Sequence, residues 1–212
     1  MRRAAGPNTE LVHRVLRQLE AEGVPWAPRA LGIDDEDREV LSWIPGRTAT
    51  TAEEIDLDEL ARMVRHLHDL TTGLVDGYES IIHDDLQPRN VVVRHGQPVG
   101  IIDWEQARPG RRVEDVADLC WSFVEPGPER RCEDIGVRWR HVAASYGLEA
   151  CDDLVPTILA RMSTCAEDIE REARRGSVRH RRLAERGDHV AIRAMHEWVA
   201  DNERALHAAV SA

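Results

Sequence analysis

The residues best suited to chemistry lie close together, in residues 81–105, IIHDDLQPRNVVVRHGQPVGIIDWE. His83, Asp85 and Asn90 fall in the order H-x-D-x-x-x-x-N, and Asp103 follows Asn90 by thirteen positions. Between them run Val91-Val92-Val93, a His95-Gly96-Gln97-Pro98 turn and Val99-Gly100-Ile101-Ile102. Two β-branched runs around a Gly/Pro turn predict a hairpin. Such a hairpin returns Asp103 to the loop that holds Asp85 and Asn90. Phosphoryl transfer uses a convergence of this kind: one carboxylate orients the acceptor hydroxyl and takes its proton, while an amide and a second carboxylate hold Mg²⁺ against nucleotide phosphates. On this reading Asp85 is the base, Asn90 and Asp103 are the metal ligands, and His83 braces the loop. The bland alternative is a polar loop whose Asp and Asn only make turns. The flanking strands and the position of Ile102-Asp103-Trp104-Glu105 argue against it.

HDDLQPRN followed by GIIDWE resembles the catalytic and metal loops of the aminoglycoside phosphotransferase and choline kinase family, relatives of the protein kinases. The resemblance runs from Arg2 to Val210, strongly over residues 81–117 and loosely elsewhere. It implies an α+β, protein-kinase-like fold. Residues 1–46 would form a shortened N-terminal nucleotide lobe and hinge, and residues 47–212 a mostly helical catalytic lobe carrying the hairpin. It also implies ATP and Mg²⁺ as cofactors. Leu41-Ser42-Trp43-Ile44-Pro45-Gly46 is similar to the family's hinge, whose backbone binds adenine, so Ser42, Trp43 and Ile44 are carried over as nucleotide contacts. A core aromatic is an equal reading of Trp43. Position 87, near the transferred phosphate, is Lys in protein kinases and commonly His in aminoglycoside kinases. Gln87 donates a hydrogen bond there but brings no charge; Arg89 could supply one. In Pro109-Gly110-Arg111-Arg112-Val113-Glu114-Asp115-Val116-Ala117 the resemblance makes Asp115 the residue that bonds backbone of the catalytic loop, with a helix cap as its bland reading.

Two departures from the family pattern concern the phosphates. The chain has no lysine, so all 28 of its basic residues are arginine. It therefore lacks the strand lysine that holds the α- and β-phosphates in kinases. Only Met1-Arg2-Arg3-Ala4-Ala5-Gly6-Pro7 precedes the first helix, where relatives carry a Gly-rich hairpin. The expectation is either a start placed too far downstream or a reduced lobe. Arg2 or, better, Arg3 is the candidate phosphate cation, because guanidinium binds phosphate well; a frayed basic terminus is the alternative. The helix glutamate that normally pairs with the lysine aligns with Val12, His13 or Arg14, so the ion pair is absent or rebuilt.

The positioning elements follow from periodicity. Leu11, Val12, Val15, Leu16 and Leu19 share one side of a helix over residues 9–22, capped by Asn8 or Thr9. Residues 29–33 and 38–44 pair across the turn Asp34-Asp35-Glu36-Asp37. Residues 52–71 form a long helix with His68 packing toward the catalytic loop and His66 in solvent; two apart, they are a poor metal pair. Helices follow over residues 115–125, 128–146, 151–175 and 178–208. Glu167, Asp168, Glu170 and Glu172 read as a solvated face rather than a cation-binding patch.

Composition excludes other classes. The net charge of −11 argues against a nucleic-acid partner. No apolar run spans a membrane and no signal peptide opens the chain, which predicts a cytoplasmic protein. Four scattered cysteines form neither a zinc site nor a disulfide framework. The leading expectation is an ATP- and Mg²⁺-dependent phosphotransferase acting on a hydroxyl of a small molecule, with Asp85, His83 and Gln87 at the reaction centre. The second is a kinase-like pseudoenzyme that binds a metabolite or serves as an immunity or regulatory protein. A third takes His83-Asp84 as the metal pair of a phosphohydrolase, but that pair belongs on a helix and here it follows a strand.

Overall fold

The apolar stripe near the N-terminus does fold as a helix, and three short strands gather beside it. The computed structural model describes residues 1–212, in which β1 (Arg2–Ala4), α1 (Thr9–Ala21), β2 (Ala30–Ile33) and β3 (Arg38–Leu41) come first. Their sheet has the order β1-β3-β2, antiparallel throughout, with Arg3 opposite Glu39. The acidic turn closes because Asp34 accepts from the N–H groups of Glu36 and Arg38, while Asp37 takes a left-handed φ of 54°. Neither expected cap of α1 works through its side chain. Asn8 occupies the cap position without a capping bond and instead donates to the Glu105 carbonyl at 3.2 Å, tying the helix start to the metal-loop segment.

The hairpin forms as expected, as β6 (Val91–Arg94) and β7 (Gln97–Ile101), with Val91 opposite Ile101. A short strand after the hinge, β4 (Arg47–Thr48), adds to its edge. Gly100 permits the close approach of the hinge: a Cβ there would lie 2.8 Å from the Ile44 side chain. A separate pair, β5 (Ser80–Ile82) and β8 (Arg108–Gly110), brackets the catalytic loop before and after.

The helices are α2 (Leu57–Thr71), α3 (Arg112–Val124), α4 (Cys132–Tyr146), α5 (Leu154–Arg174), α6 (Val178–Arg186), α7 (Asp188–Asp201) and α8 (Glu203–Ser211). Two expectations need correction. The helix predicted from residue 52 starts at Leu57, because the Asp56 side chain caps it by accepting from the Glu59 N–H; Ala52–Glu54 is a separate 3-10 turn. The single helix predicted over residues 178–208 is three. Gly187, at φ 82°, ends α6 in the left-handed conformation that disfavours other residues, and Asn202 breaks the chain again.

One core of 44 buried residues runs from α1 through α2 to the C-terminal helices. Trp104 and Trp139 are its largest fully buried members, and their indole N–H groups donate to the carbonyls of Ile101 and Cys120. The chain thus has small antiparallel sheets and a mostly helical C-terminal part, in the manner of a kinase-like phosphotransferase.

Candidate active site

The catalytic loop is held from behind by one buried carboxylate. Asp115, on the first turns of α3, is wholly buried and accepts from the N–H of His83 at 2.8 Å and of Asp84 at 3.0 Å. His68 of α2 lies 3.0 Å from the same carboxylate through Nε2, and its Nδ1 is 2.7 Å from the Tyr146 hydroxyl. Burial alone would raise the Asp115 carboxyl. The His68 bond and charge, with those of His83, hold it below the ordinary carboxylate range. His68 therefore packs toward the loop, as expected, while His66 is exposed beside Trp26.

From this anchor the loop turns sharply. Asp84 adopts φ 66° and is gripped by Arg108 and Arg161, its Oδ2 2.7 Å from Arg108 Nε and its Oδ1 2.5 Å from Arg161 Nη1. Asp84 is thus spent on structure, which disposes of the His83-Asp84 metal pair. His83 is fully buried, edge-on to Trp104 at 4.9 Å, with Nε2 3.1 Å from the Ile102 carbonyl. It joins the catalytic loop to the residue before Asp103.

Asp85, Asn90 and Asp103 meet through main-chain and side-chain bonds. Asn90 Nδ2 donates to the Asp85 carbonyl at 2.8 Å and to its Oδ2 at 3.0 Å. The Ile102 N–H donates to the Asn90 carbonyl at 2.9 Å, which fixes the end of the hairpin against the loop. Asp103 itself sits at φ 66°, ψ 58°, an uncommon conformation for a non-glycine residue and one found often at functional sites. Gln87 Nε2 donates to Asp85 Oδ1.

A metal ion fits the oxygen set these residues leave free. The amide oxygen of Asn90 accepts no hydrogen bond, and one oxygen of Asp103 is likewise uncommitted. The chain has no group of three or more His, Cys, Asp or Glu side chains able to cage an ion. Two hard oxygen donors without a full protein cage suit Mg²⁺, which takes its other ligands from water and phosphate.

The N-terminal strands bring a cation to this point. Arg3 points inward, bonding Glu39 through Nε and Asp103 Oδ1 through Nη1 at 3.0 Å; Arg2 faces solvent near Asp34. His13, on the inner face of α1, lies 3.1 Å from Glu39, which is 1% exposed. The ion pair is thus rebuilt between strands: Arg3 of β1 pairs with Glu39 of β3, and the helix brings His13 beside the same acid. Periodicity could have shown that Glu39 points inward, since it shares a strand face with Leu41, but nothing in the sequence pairs it with Arg3.

The hinge lines a narrow cavity of about 50 Å³ bounded by Met1, Leu41, Ser42, Trp43, Ile44 and Asp103. The N–H groups of Trp43 and Ile44 donate to no protein acceptor and are free for a ligand. Trp43 is 71% exposed, so the core-aromatic reading of its side chain fails; the residue borders the cavity. Ser42 is less available, since its N–H donates to the Arg29 carbonyl and its hydroxyl accepts from the Arg29 N–H.

Two residues escaped the sequence reading. Arg179, at the start of α6, reaches Asp85 Oδ2 at 3.1 Å and Glu105 Oε1 at 2.6 Å. Burial would lower its pKa, but the charge of Asp85, with Asp103 and Glu105, raises it. Arg161 is the second, a strut between Asp84 and Asp118. Arg89, the cation expected to serve the loop, is exposed and forms no ion pair. Three acids of the run on α5 are neutralised locally: Asp168 and Glu172 pair with Arg171, and Glu170 with Arg193.

Comparison with known proteins places the chain among phosphotransferase-like folds. The phosphotransferase enzyme family (APH) matches residues 71–154, which contain the catalytic loop, the hairpin and α3. The trifolitoxin immunity protein of Rhizobium leguminosarum bv. trifolii is 36% identical over 155 residues, covering 64% of this chain. The match spans 59% of that relative's length. The macrolide 2'-phosphotransferase MphH from Brachybacterium faecium, an apoenzyme structure, superposes with a TM-score of 0.56 at 14% identity, covering 92% of this chain and 83% of MphH. That likeness is one of fold. No helix is long and apolar enough to cross a membrane. The family match thus covers the segment of the loop and hairpin, and the fold of the whole chain is that of a kinase-like phosphotransferase.

Proposed function

We propose that this protein moves the γ-phosphoryl group of ATP to a hydroxyl of a small molecule. The observation that carries the reading is the join between the catalytic loop and the hairpin: Asn90 bonds Asp85 through its side chain and the residue before Asp103 through its backbone. Asp85 orients the acceptor hydroxyl and takes its proton, and Gln87 steadies one of its oxygens. Asn90 and Asp103 would hold Mg²⁺, whose charge offsets that of the phosphates. Arg3 stands in for the missing lysine on the phosphates, oriented by Glu39. The free N–H groups of Trp43 and Ile44 receive the adenine. Calorimetric titration with Mg·ATP tests the reading. Binding that needs Mg²⁺ and is lost in Asp103→Ala supports it; no binding at millimolar ATP sinks it.

A second reading has its own support, the similarity to an immunity protein. In it the chain keeps a kinase-like scaffold to bind a metabolite or protein without turnover. Both carboxylates of the centre are already paired with arginine, Asp85 with Arg179 and Asp103 with Arg3, as a resting scaffold would have them. Protection of cells that survives Asp85→Asn would favour this reading over catalysis.

A further inference from the structure

The arginines near the centre differ in what they touch. Arg108 and Arg161 hold Asp84, Arg3 holds Glu39 and Asp103, and Arg89 stands in solvent. Arg179 alone touches Asp85, the residue placed as base. It bonds Oδ2 while Gln87 bonds Oδ1, so the neutral amide and the guanidinium flank one carboxylate. Its other branch reaches Glu105, two residues beyond Asp103, and Glu105 also lies 3.7 Å from Arg3. A chain of alternating charge, Arg3, Glu105, Arg179, thus spans the gap between the nucleotide side and the acceptor side.

The placement is built. Arg179 lies in the first turn of α6, whose start is fixed by Ser177 accepting from the His180 N–H and by the Ser177 hydroxyl 2.8 Å from His180 Nδ1. The Arg179 side chain is 37% exposed, partly withdrawn yet open to the cleft. Guanidinium presents a planar fork suited to phosphoryl oxygens.

We propose, building on the phosphotransfer reading above, that Arg179 is a catalytic residue supplied in cis from α6. It contacts the phosphoryl group in flight and provides the positive charge that Gln87 lacks. In the step, the acceptor oxygen bonds to the γ-phosphorus as the bond from phosphorus to the β,γ-bridging oxygen breaks. The hydroxyl proton passes to Asp85 and the electron pair leaves with ADP. Charge on the three equatorial oxygens is greatest at that moment, and a cation there acts on the transition state rather than on bound ATP. The two acids that hold Arg179 in the resting protein keep it charged and aimed until the nucleotide arrives.

Wild type, Arg179→Gln and Arg179→Lys are titrated calorimetrically with Mg·ADP, with and without fluoroaluminate, and release of phosphate from Mg·ATP to water is followed in single turnover. The expected result is Mg·ADP affinity within twofold across the three proteins. Fluoroaluminate should tighten binding in wild type, that gain should fall at least tenfold in Arg179→Gln, and phosphate release should slow about 100-fold, with partial recovery in Arg179→Lys. An equal gain in Arg179→Gln, or none in wild type, overturns the proposal. Faster release by Arg179→Gln would also overturn it, showing a residue that only shields Asp85. Loss of Mg·ADP affinity in step with rate would assign Arg179 to ground-state binding and refute it likewise. A wild type that binds neither Mg·ADP nor Mg·ATP would instead fell the phosphotransfer reading, and this proposal with it.

Discussion

The two sides of the cleft solve the same electrostatic problem by different means. On the helical side, each functional group is fixed by a buried partner: Asp115 holds the loop N–H groups, His83 holds the Ile102 carbonyl, and Asn90 holds Asp85. On the strand side, two short strands and one helix turn an Arg–Glu–His cluster toward Asp103. The first arrangement is local in sequence and backed by a large core. The second joins residues from three elements, and its charges meet only through the packing of those elements. Under the phosphotransfer reading proposed above, chemistry is fixed on the helical side and affinity is tuned on the strand side.

The sharpest way to break that division is Asp85→Asn. If the helical side carries the chemistry, phosphate transfer should fall by about 100- to 10,000-fold, the usual worth of a positioned general base. Mg·ADP affinity, measured by calorimetry, should stay within about threefold, since the nucleotide's ligands are elsewhere. A parallel loss of both would erase the distinction.

Next in size is Asp115→Ala. It leaves two loop N–H groups and His68 buried without their acceptor, a loss of about 3 kcal/mol or more in denaturant unfolding. The pH dependence has a definite sign. The folded Asp115 carboxyl lies below its unfolded value, so its contribution is complete above about pH 4 and drains away as pH falls through the folded pKa. Asp115→Asn should lower stability at neutral pH and flatten the acid limb below about pH 4. An acid limb as steep as that of wild type would show that other carboxylates dominate it.

On the strand side, Glu39→Gln removes the acid shared by Arg3 and His13. Mg·ATP affinity should weaken about tenfold, close to 1.4 kcal/mol, with the Asp85-dependent rate at saturating nucleotide nearly unchanged. A drop in that rate instead would place Glu39 with the chemistry.

These contrasts also explain what could be read from residues alone. The loop and hairpin were legible because their information is local: β-branched runs, a Gly/Pro turn and fixed spacing place Asp103 near Asp85 with no knowledge of the rest of the chain. The Asp115 bonds followed from a motif that lies next in sequence. Arg179 was not legible, because 94 positions separate it from Asp85 and only the packing of α6 brings them together. One arginine among 28 carries no mark of its role. The helix over residues 178–208 was misread for a related reason. Apolar periodicity continues past Gly187, and only the backbone shows that this glycine takes a left-handed turn that redirects the chain.

The smallest expected effect tests whether the hinge acts through backbone or side chain. Trp43 is 71% exposed, so Trp43→Ala should change unfolding free energy by less than about 0.5 kcal/mol. If adenine is received by the free N–H groups of Trp43 and Ile44, Mg·ADP affinity should also shift by less than about threefold, roughly 0.65 kcal/mol. Gly100→Ala acts on the same hinge from beneath. A methyl group there meets the Ile44 side chain, and the overpacking should cost about 1–3 kcal/mol and displace the two donors. A large effect from Trp43 with none from Gly100→Ala would mean that the indole face, not the hinge backbone, receives the nucleotide. The strand side would then bind by stacking over a surface residue, and its affinity would be insensitive to the packing that the helical side depends on.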